Sequence, residues 1–403
     1  MRRPVLDSGR ATAALALIGV LVAGCGSDVV VAPNAAGSTA GAGAGGSDVG
    51  AGGSGAGGGG SAGAGGAEDC DSLAGPFGAP EVVYDDHVAA IVAHDGRLLI
   101  ASFALGGIGS VAPDGSDFLL HVATGSPVEL AAVNDAAYWV EIVALVEGSA
   151  LSGGPITPLF TGDSFVSGLV ADAKNVYFSH AGTPSGVIAV PLGGGPPTAL
   201  LDAPFAKTAA DGEYVFIEDW TNNPGVKLAR VEVTGGPPET LYDTMGPFEE
   251  TIGGIAFDET HVYITIGGAR FCCAGEPDCG CAPDECCTWP APTGRVMRVP
   301  KAGGAAEVLT RCVRLPTAIA VDGADVFVAD ASGYDISGEL LPEDTRILKL
   351  AKTPAPPVVL AEHEPVGGNI DPQLLAIPGL LAVLDDHVYY VRTEAPHLVR
   401  VPR

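Results

Sequence analysis

Positive charge is scarce in this chain. Twenty Lys and Arg residues face 48 Asp and Glu across 403 residues, for a formal charge of −28. Phosphate backbones and anionic headgroups would repel such a surface, which excludes nucleic acid as a partner and excludes binding to a lipid surface by charge. The acidity itself is read as a solubility device for a Gly-rich chain of short apolar strands. The folded part also lacks Gly-x-Ser-x-Gly, a phosphate-binding loop, a zinc-helix motif and any Cys-x-x-Cys, so none of the common short catalytic or metal signatures applies. Nothing in the sequence calls for a cofactor.

The apolar run near the N-terminus, ATAALALIGVLVAG, is too short to span a bilayer comfortably and follows Arg2, Arg3 and Arg10. This is the pattern of a secretory signal, assigned to residues 1–24. The run ends Leu21-Val22-Ala23-Gly24-Cys25, which resembles the lipobox of bacterial lipoproteins. The resemblance implies that Cys25 carries the lipid and that the lipid is the chain's attachment to the membrane. Gly26 and Ser27 follow, with no Asp beside Cys25; by resemblance to lipoprotein sorting in diderm bacteria, this implies the outer membrane. Residues 25–69 are nearly all Gly, Ala and Ser after the cysteine. Too few large apolar side chains are present to offset the entropy of ordering, so the segment is expected to act as a flexible tether spanning roughly 35–40 Å.

Residues 70–403 repeat. The segments AIVAHDGRLLIAS, LAAVNDAAYWVEI, GLVADAKNVYFSH, KTAADGEYVFIED, GIAFDETHVYITI, AIAVDGADVFVAD and LAVLDDHVYYVRT align on Asp95, Asn134, Asp172, Asp211, Asp258, Asp322 and Asp385, spaced by 39, 38, 39, 47, 64 and 63 residues. Each unit reads as four β-branched or apolar strands separated by Gly, Pro and Asp. Four strands in about 40 residues is the pattern of a β-propeller blade, so the expected fold is an all-β propeller of seven four-stranded blades. The recurring Asp is read as an Asx-turn residue, not a metal ligand. Gly-Gly pairs suit the hairpin to the outer strand. The chain ends on HLVRVPR, a third strand, and GAPEVVYDD (residues 78–86) resembles the outer-strand segment GPPETLYDT (236–244); the N-terminal segment is therefore expected to close the ring and remove its exposed edges. A closed monomer is expected. Through Tyr138-Trp139-Val140-Glu141 and Ala-Val-Asp-x-x-x-Val-Phe at 320–327, the repeat resembles bacterial propellers related to the Tyr-Trp-Thr-Asp type. That family typically has six blades and includes receptors, scaffolds and a few lyases or lactonases.

Six of the nine cysteines fall in an acidic insertion at 270–293 within the fifth unit: Cys272, Cys273, Cys279, Cys281, Cys286 and Cys287. Their spacing fits no zinc site, no histidine is near, and an exported chain meets oxidants. Together with Cys70 and Cys312 they number eight, and four disulfides are expected, of undetermined connectivity. Residues 334–344 and 363–376 lengthen further connections on the same face. Phe271, Trp289 and Tyr334 in these loops are candidate anchors for an extracytoplasmic protein or glycan. The competing reading is a metal-assisted lyase or lactonase on that face, where His87, His180, His363 and His397 are expected near Glu141, Asp219, Asp330 and Glu394. His94, His261 and His387 fall on the opposite face. The leading expectation is a surface-anchored, non-catalytic propeller. Replacing the predicted anchor, Cys25→Ser, should stop lipid maturation and move the protein out of the detergent phase; unchanged partitioning would remove the lipoprotein reading.

Overall fold

The computed structural model describes Cys70, Leu73, Gly75 and residues 78–403, except 142–143, 204–205, 220–225, 245–249, 273–286, 291–293, 332–345, 363, 365–379 and 393–397. For residues 268–272, 287–290 and 331 it describes the backbone alone. The proposed signal and the whole of the tether lie outside these residues.

Seven antiparallel sheets make up the domain, and in six of them the four blade strands are ordered by sequence from first to fourth. Blades 1 to 6 occupy residues 90–123, 127–161, 166–201, 208–243, 250–310 and 315–362. Blade 7 combines three strands from 381–402 with Glu81–Tyr84 as the fourth. The closing strand opposes Leu398–Pro402 with Glu81 facing Arg400, Val82 facing Val399 and Tyr84 facing Leu398. The ring thus has seven blades, one more than is typical of the propellers it resembles, and closes through the N-terminal segment as the repeats imply.

The second strand of each blade carries the core. Tyr138-Trp139, Tyr177-Phe178, Phe216, Tyr263, Phe327 and Tyr389-Tyr390 are all buried, and β-branched and aromatic residues favour this pleated setting. The clusters form between blades: Leu99, Ile108 and Val122 of blade 1 pack on Leu130, Ala137 and Trp139 of blade 2, and Tyr263 and Val296 of blade 5 pack on Val326 and Leu348 of blade 6. Truncating one such ring to Ala costs about 3–5 kcal/mol. Between third and fourth strands the register slips once in every blade, for example at Val187/Ile188 and Val296/Met297. Bulges of this kind bend a strand and increase its twist. Gly-Gly pairs lead into the outer strand in blades 2 to 5, and at 194–195 both residues take positive φ, 80° and 155°, where a Cβ would be strained.

The recurring Asp serves three purposes. Asp172, Asp211 and Asp258 each accept backbone amides two and three residues on, the expected Asx turn. Asp95, Asn134 and Asp385 instead take left-handed backbone, φ 46°, 55° and 53°, which Asn and Asp tolerate best among non-glycine residues. Asp211, Asp258 and Asp322 also pair with the next blade, through Lys301 at 2.6 Å, Lys352 at 2.7 Å and Arg403. Burial favours neutral Asp258, but hydrogen bonds from Lys352, Thr260, His261 and Tyr263 hold its carboxyl below the usual range. At the position of these cations blades 2, 3 and 4 carry Leu151, Leu192 and Val233, which pack apolar clusters.

Cys70 and Cys312 form a disulfide across 242 residues, with Cα atoms 5.2 Å apart. It ties the start of the domain to the connection between blades 5 and 6. Closing so long a loop contributes ~5 kcal/mol in the chain-entropy model. From there Leu73 packs against the core between those blades, and a Cβ on Gly75 would fall 2.2 Å from the carbonyl oxygen of Val359 in blade 6's outer strand. Two of the eight expected disulfide cysteines are thereby paired.

Substituting Val82→Pro and Tyr84→Pro together, with the tether and Cys70 retained, should break the closing ladder and lower stability by ~2–4 kcal/mol, the worth of a few hydrogen bonds. Size-exclusion should then show concentration-dependent association through the freed edge of Leu398–Pro402. Unaltered urea unfolding would count against closure by this strand.

Candidate functional site

Second-to-third-strand loops and blade-to-blade connections emerge on one face. The ends of the second strands form its rim, and among the described residues the carboxylates there are already engaged, whereas His87 Nδ1 and His180 Nε2 are buried without a hydrogen-bond partner. Glu141, closing Ala136–Glu141, accepts hydrogen bonds from Thr124 Oγ1, from the amides of Gly125 (3.2 Å) and Ser126 (2.5 Å), and from Trp139 Nε1 (3.1 Å). It pins the connection arriving from blade 1. Asp330 does the same in blade 6: fully buried, it accepts the amides of Arg314 and Leu315 at 2.8 and 3.0 Å and pairs with Arg346 at 2.7 Å. Burial pushes its carboxyl upward against the pull of Arg346 and the two amides. Removing one partner of such a buried pair costs about 3–5 kcal/mol.

The other described carboxylates of the rim are comparable. Asp219 lies 2.5 Å from Lys227 Nζ. Glu250 holds Arg295 through both guanidinium Nη atoms at 2.8 Å. Glu364 pairs with Arg392. His180 is fully buried, its Nδ1 2.7 Å from the Pro184 carbonyl and its ring edge-on to Phe160. His87 packs 5.0 Å from Phe103, and burial lowers its pKa against the opposing charge of Asp86. His363, His397 and Glu394 lie outside the described residues. Among the described residues no group of three or more His, Cys, Asp or Glu could hold a metal ion. On the opposite face His94 Nε2 lies 2.6 Å from the Asn134 carbonyl of the next blade, His261 meets Thr260 and His387 lies 6.2 Å from Tyr389.

The insertion of blade 5 departs from the expected loop at both flanks. The second strand runs on as His261–Cys272, and a fifth strand, Cys287–Pro290, pairs with its far end. In this ladder Cys272 opposes Cys287, Phe271 opposes Thr288 and Trp289 opposes Arg270. The two candidate aromatics are therefore not register partners. Cys273, Cys279, Cys281, Cys286 and Tyr334 lie outside the described residues, as does nearly all of 334–344 and 363–376. Exposed rings do occur on this face at Phe103 and Phe165, 37% and 53% accessible, in blade 1 and before blade 3.

Sequence reading passed over the inner ring. Glu129, in the first strand of blade 2, is buried and accepts the amides of Gly168 (3.2 Å) and Leu169 (2.7 Å) in blade 3. Thr208 of blade 4 donates to the Gly168 carbonyl. Lys207 donates to the Ile252 carbonyl of blade 5, and Glu218 accepts the Ile252 amide at 2.5 Å. The available signal was a charged residue in an otherwise small, apolar first strand, as in KTAAD.

No protein-family model matches this sequence, and none of the curated proteins aligns with it significantly. Solved structures do share its architecture. The chain is a seven-bladed β-propeller. It is similar to hydrazine synthase from Kuenenia stuttgartiensis at 11% identity and TM-score 0.54, over 82% of this chain and 99% of that one. It is also similar to a streptogramin B lyase at 13% identity and TM-score 0.49, over 80% and 97%. With virginiamycin B lyase from Staphylococcus aureus the values are 13% and 0.48, over 79% and 96%. At such identity the likeness concerns the fold and carries no activity.

Burial raises the Glu129 carboxyl from its ordinary range to about 7, against the two amide hydrogen bonds that favour ionisation. The folded state thus holds this proton more tightly than the unfolded chain does. Its stabilising contribution is complete below about pH 4.5 and is lost as pH rises to about 7, up to ~3 kcal/mol in all. Glu129→Gln should remove that slope: wild type should lose stability relative to the variant between pH 5 and 8 in parallel urea titrations, and a constant difference would refute the assignment.

Proposed function

We propose that this chain is an exported lipoprotein, anchored through Cys25 to the envelope and by its sorting residues to the outer membrane. Its propeller, related to the Tyr-Trp-Thr-Asp type, acts as a non-catalytic platform for an extracytoplasmic protein or glycan. The observation that carries this reading is the state of the rim. Glu141, Asp219 and Asp330, three of the four carboxylates that a metal-assisted lyase or lactonase would draw on at its substrate, are engaged by backbone amides and cations of their own chain. Releasing them would loosen the connections they hold. The same face carries the extra chain of blades 5 and 6 and the exposed rings of Phe103 and Phe165, and loops on a rigid scaffold are where recognition concentrates.

Within the insertion, Cys272 and Cys287 stand opposite each other in an antiparallel pair, a placement suited to a cross-strand disulfide. With Cys70 and Cys312 joined, the six insertion cysteines form an even set of staples for a segment with little to bury. Replacing residues 272–291 with a short Gly-Ser turn should leave the propeller folded but abolish binding to glycan arrays and capture from envelope extract. Capture of the same partners at equal yield would place the binding site elsewhere. Alkylation of the unreduced exported protein should find no free thiol, and stoichiometric zinc with reduced cysteines would replace staples with a metal site.

A further inference from the structure

A cavity of about 400 Å³ runs along the propeller axis, walled by the first strands of all seven blades. That volume lies in the range of small-molecule pockets, and the wall, mainly Ala, Val, Ile and Leu, suits an apolar guest. Among the described residues that line it, one side chain carries charge, Lys207. Thr208 and Thr317 also line it, but their hydroxyls donate to the Gly168 and Ala329 carbonyls. The other lysines differ from Lys207 in setting. Lys227, Lys301, Lys349 and Lys352 lie 2.5–3.0 Å from carboxylates, and Lys174 is exposed at a turn. Lys207 instead donates to a backbone carbonyl, that of Ile252.

An ammonium needs water or a close counter-ion, and the channel wall supplies neither in full. Burial lowers the Lys207 pKa, with the more distant charge of Glu218 opposing. A half-buried lysine whose ammonium is disfavoured beside a small apolar cavity is a nucleophile toward carbonyl carbon. We propose that Lys207 captures a small aldehyde or ketone with an apolar body, as an imine, inside the axial channel. The nitrogen lone pair forms the new bond to carbon while the C=O π pair moves to oxygen, giving a carbinolamine. Loss of water then forms C=N, and both hydrogens of the neutral amine leave with the carbonyl oxygen. No oxidant or reductant is required. The apolar wall limits hydrolysis of the imine and selects the body of the guest, and the peptide of Ile252, gripped by Lys207 and Glu218, fixes the amine against the wall.

The test uses the exported wild-type protein with benzaldehyde and sodium cyanoborohydride near pH 7, followed by peptide mass spectrometry of all lysines. Lys207 should be benzylated on the order of tenfold faster than exposed Lys174, a barrier difference of ~1.4 kcal/mol, and in urea the preference should vanish. Accessibility alone predicts the reverse order, so faster or equal labelling of Lys174 in the folded protein would overturn the proposal. So would a Lys207 preference that persists in urea, because it would then belong to the peptide and not to the channel.

Discussion

The structure depends on closing a ring of sheets that share no backbone ladder. Main-chain pairing is completed within each blade, and no sheet extends into the next. Between blades the contact is apolar, sheet face against sheet face, and such contact has little directional preference. A linear stack of seven blades would end in two unmatched faces. Blade 7 avoids this by taking three strands from the C-terminus and one from the N-terminus, so the ring closes through hydrogen bonds between the two ends of the domain. Arg400 reinforces the seam by pairing with Glu81 at 2.7 Å and donating to the Pro113 carbonyl of blade 1 at 2.8 Å. The disulfide from Cys70 holds the segment leading into the closing strand.

Orientation between blades is then set by side chains in two rings. Near the axis Glu129, Thr208, Lys207 and Glu218 join blades 2 to 5. At the turns Asp211, Asp258 and Asp322 join blades 4 to 7 through the cation that follows the third strand of the next blade. The turn pairs are partly exposed and individually modest, but each is short and joins residues whose backbone is already fixed by a tight turn. In blades 2 to 4 an aliphatic residue packs in place of the cation, and between blades 2 and 3 and blades 3 and 4 inner-ring bonds supply direction.

This division bears on function. The rim carboxylates hold the connections in place and are thereby committed, so variable chain can be added to the loops above them without disturbing the blades. The axis is different: its lining is small and apolar because seven strands converge there, and the space that remains is accessible to a small guest.

The sequence by itself determined the blade count, the order of strands, the closing segment and the site of the insertion. These follow from alternation and turn chemistry within some 40 contiguous residues, and each copy repeats the same local physics. Tertiary structure alone decided which partners meet across long separations: Cys70 with Cys312 among eight cysteines, Lys301 with Asp211, Glu129 with the Gly168 and Leu169 amides. It also turned the flanks of the cysteine-rich insertion into a short ladder, and turned Glu141 and Asp330 from candidate reactive groups into clamps. Periodicity records which way a side chain faces within its own blade, whereas the neighbour it meets is set by curvature of the ring, which no single repeat encodes.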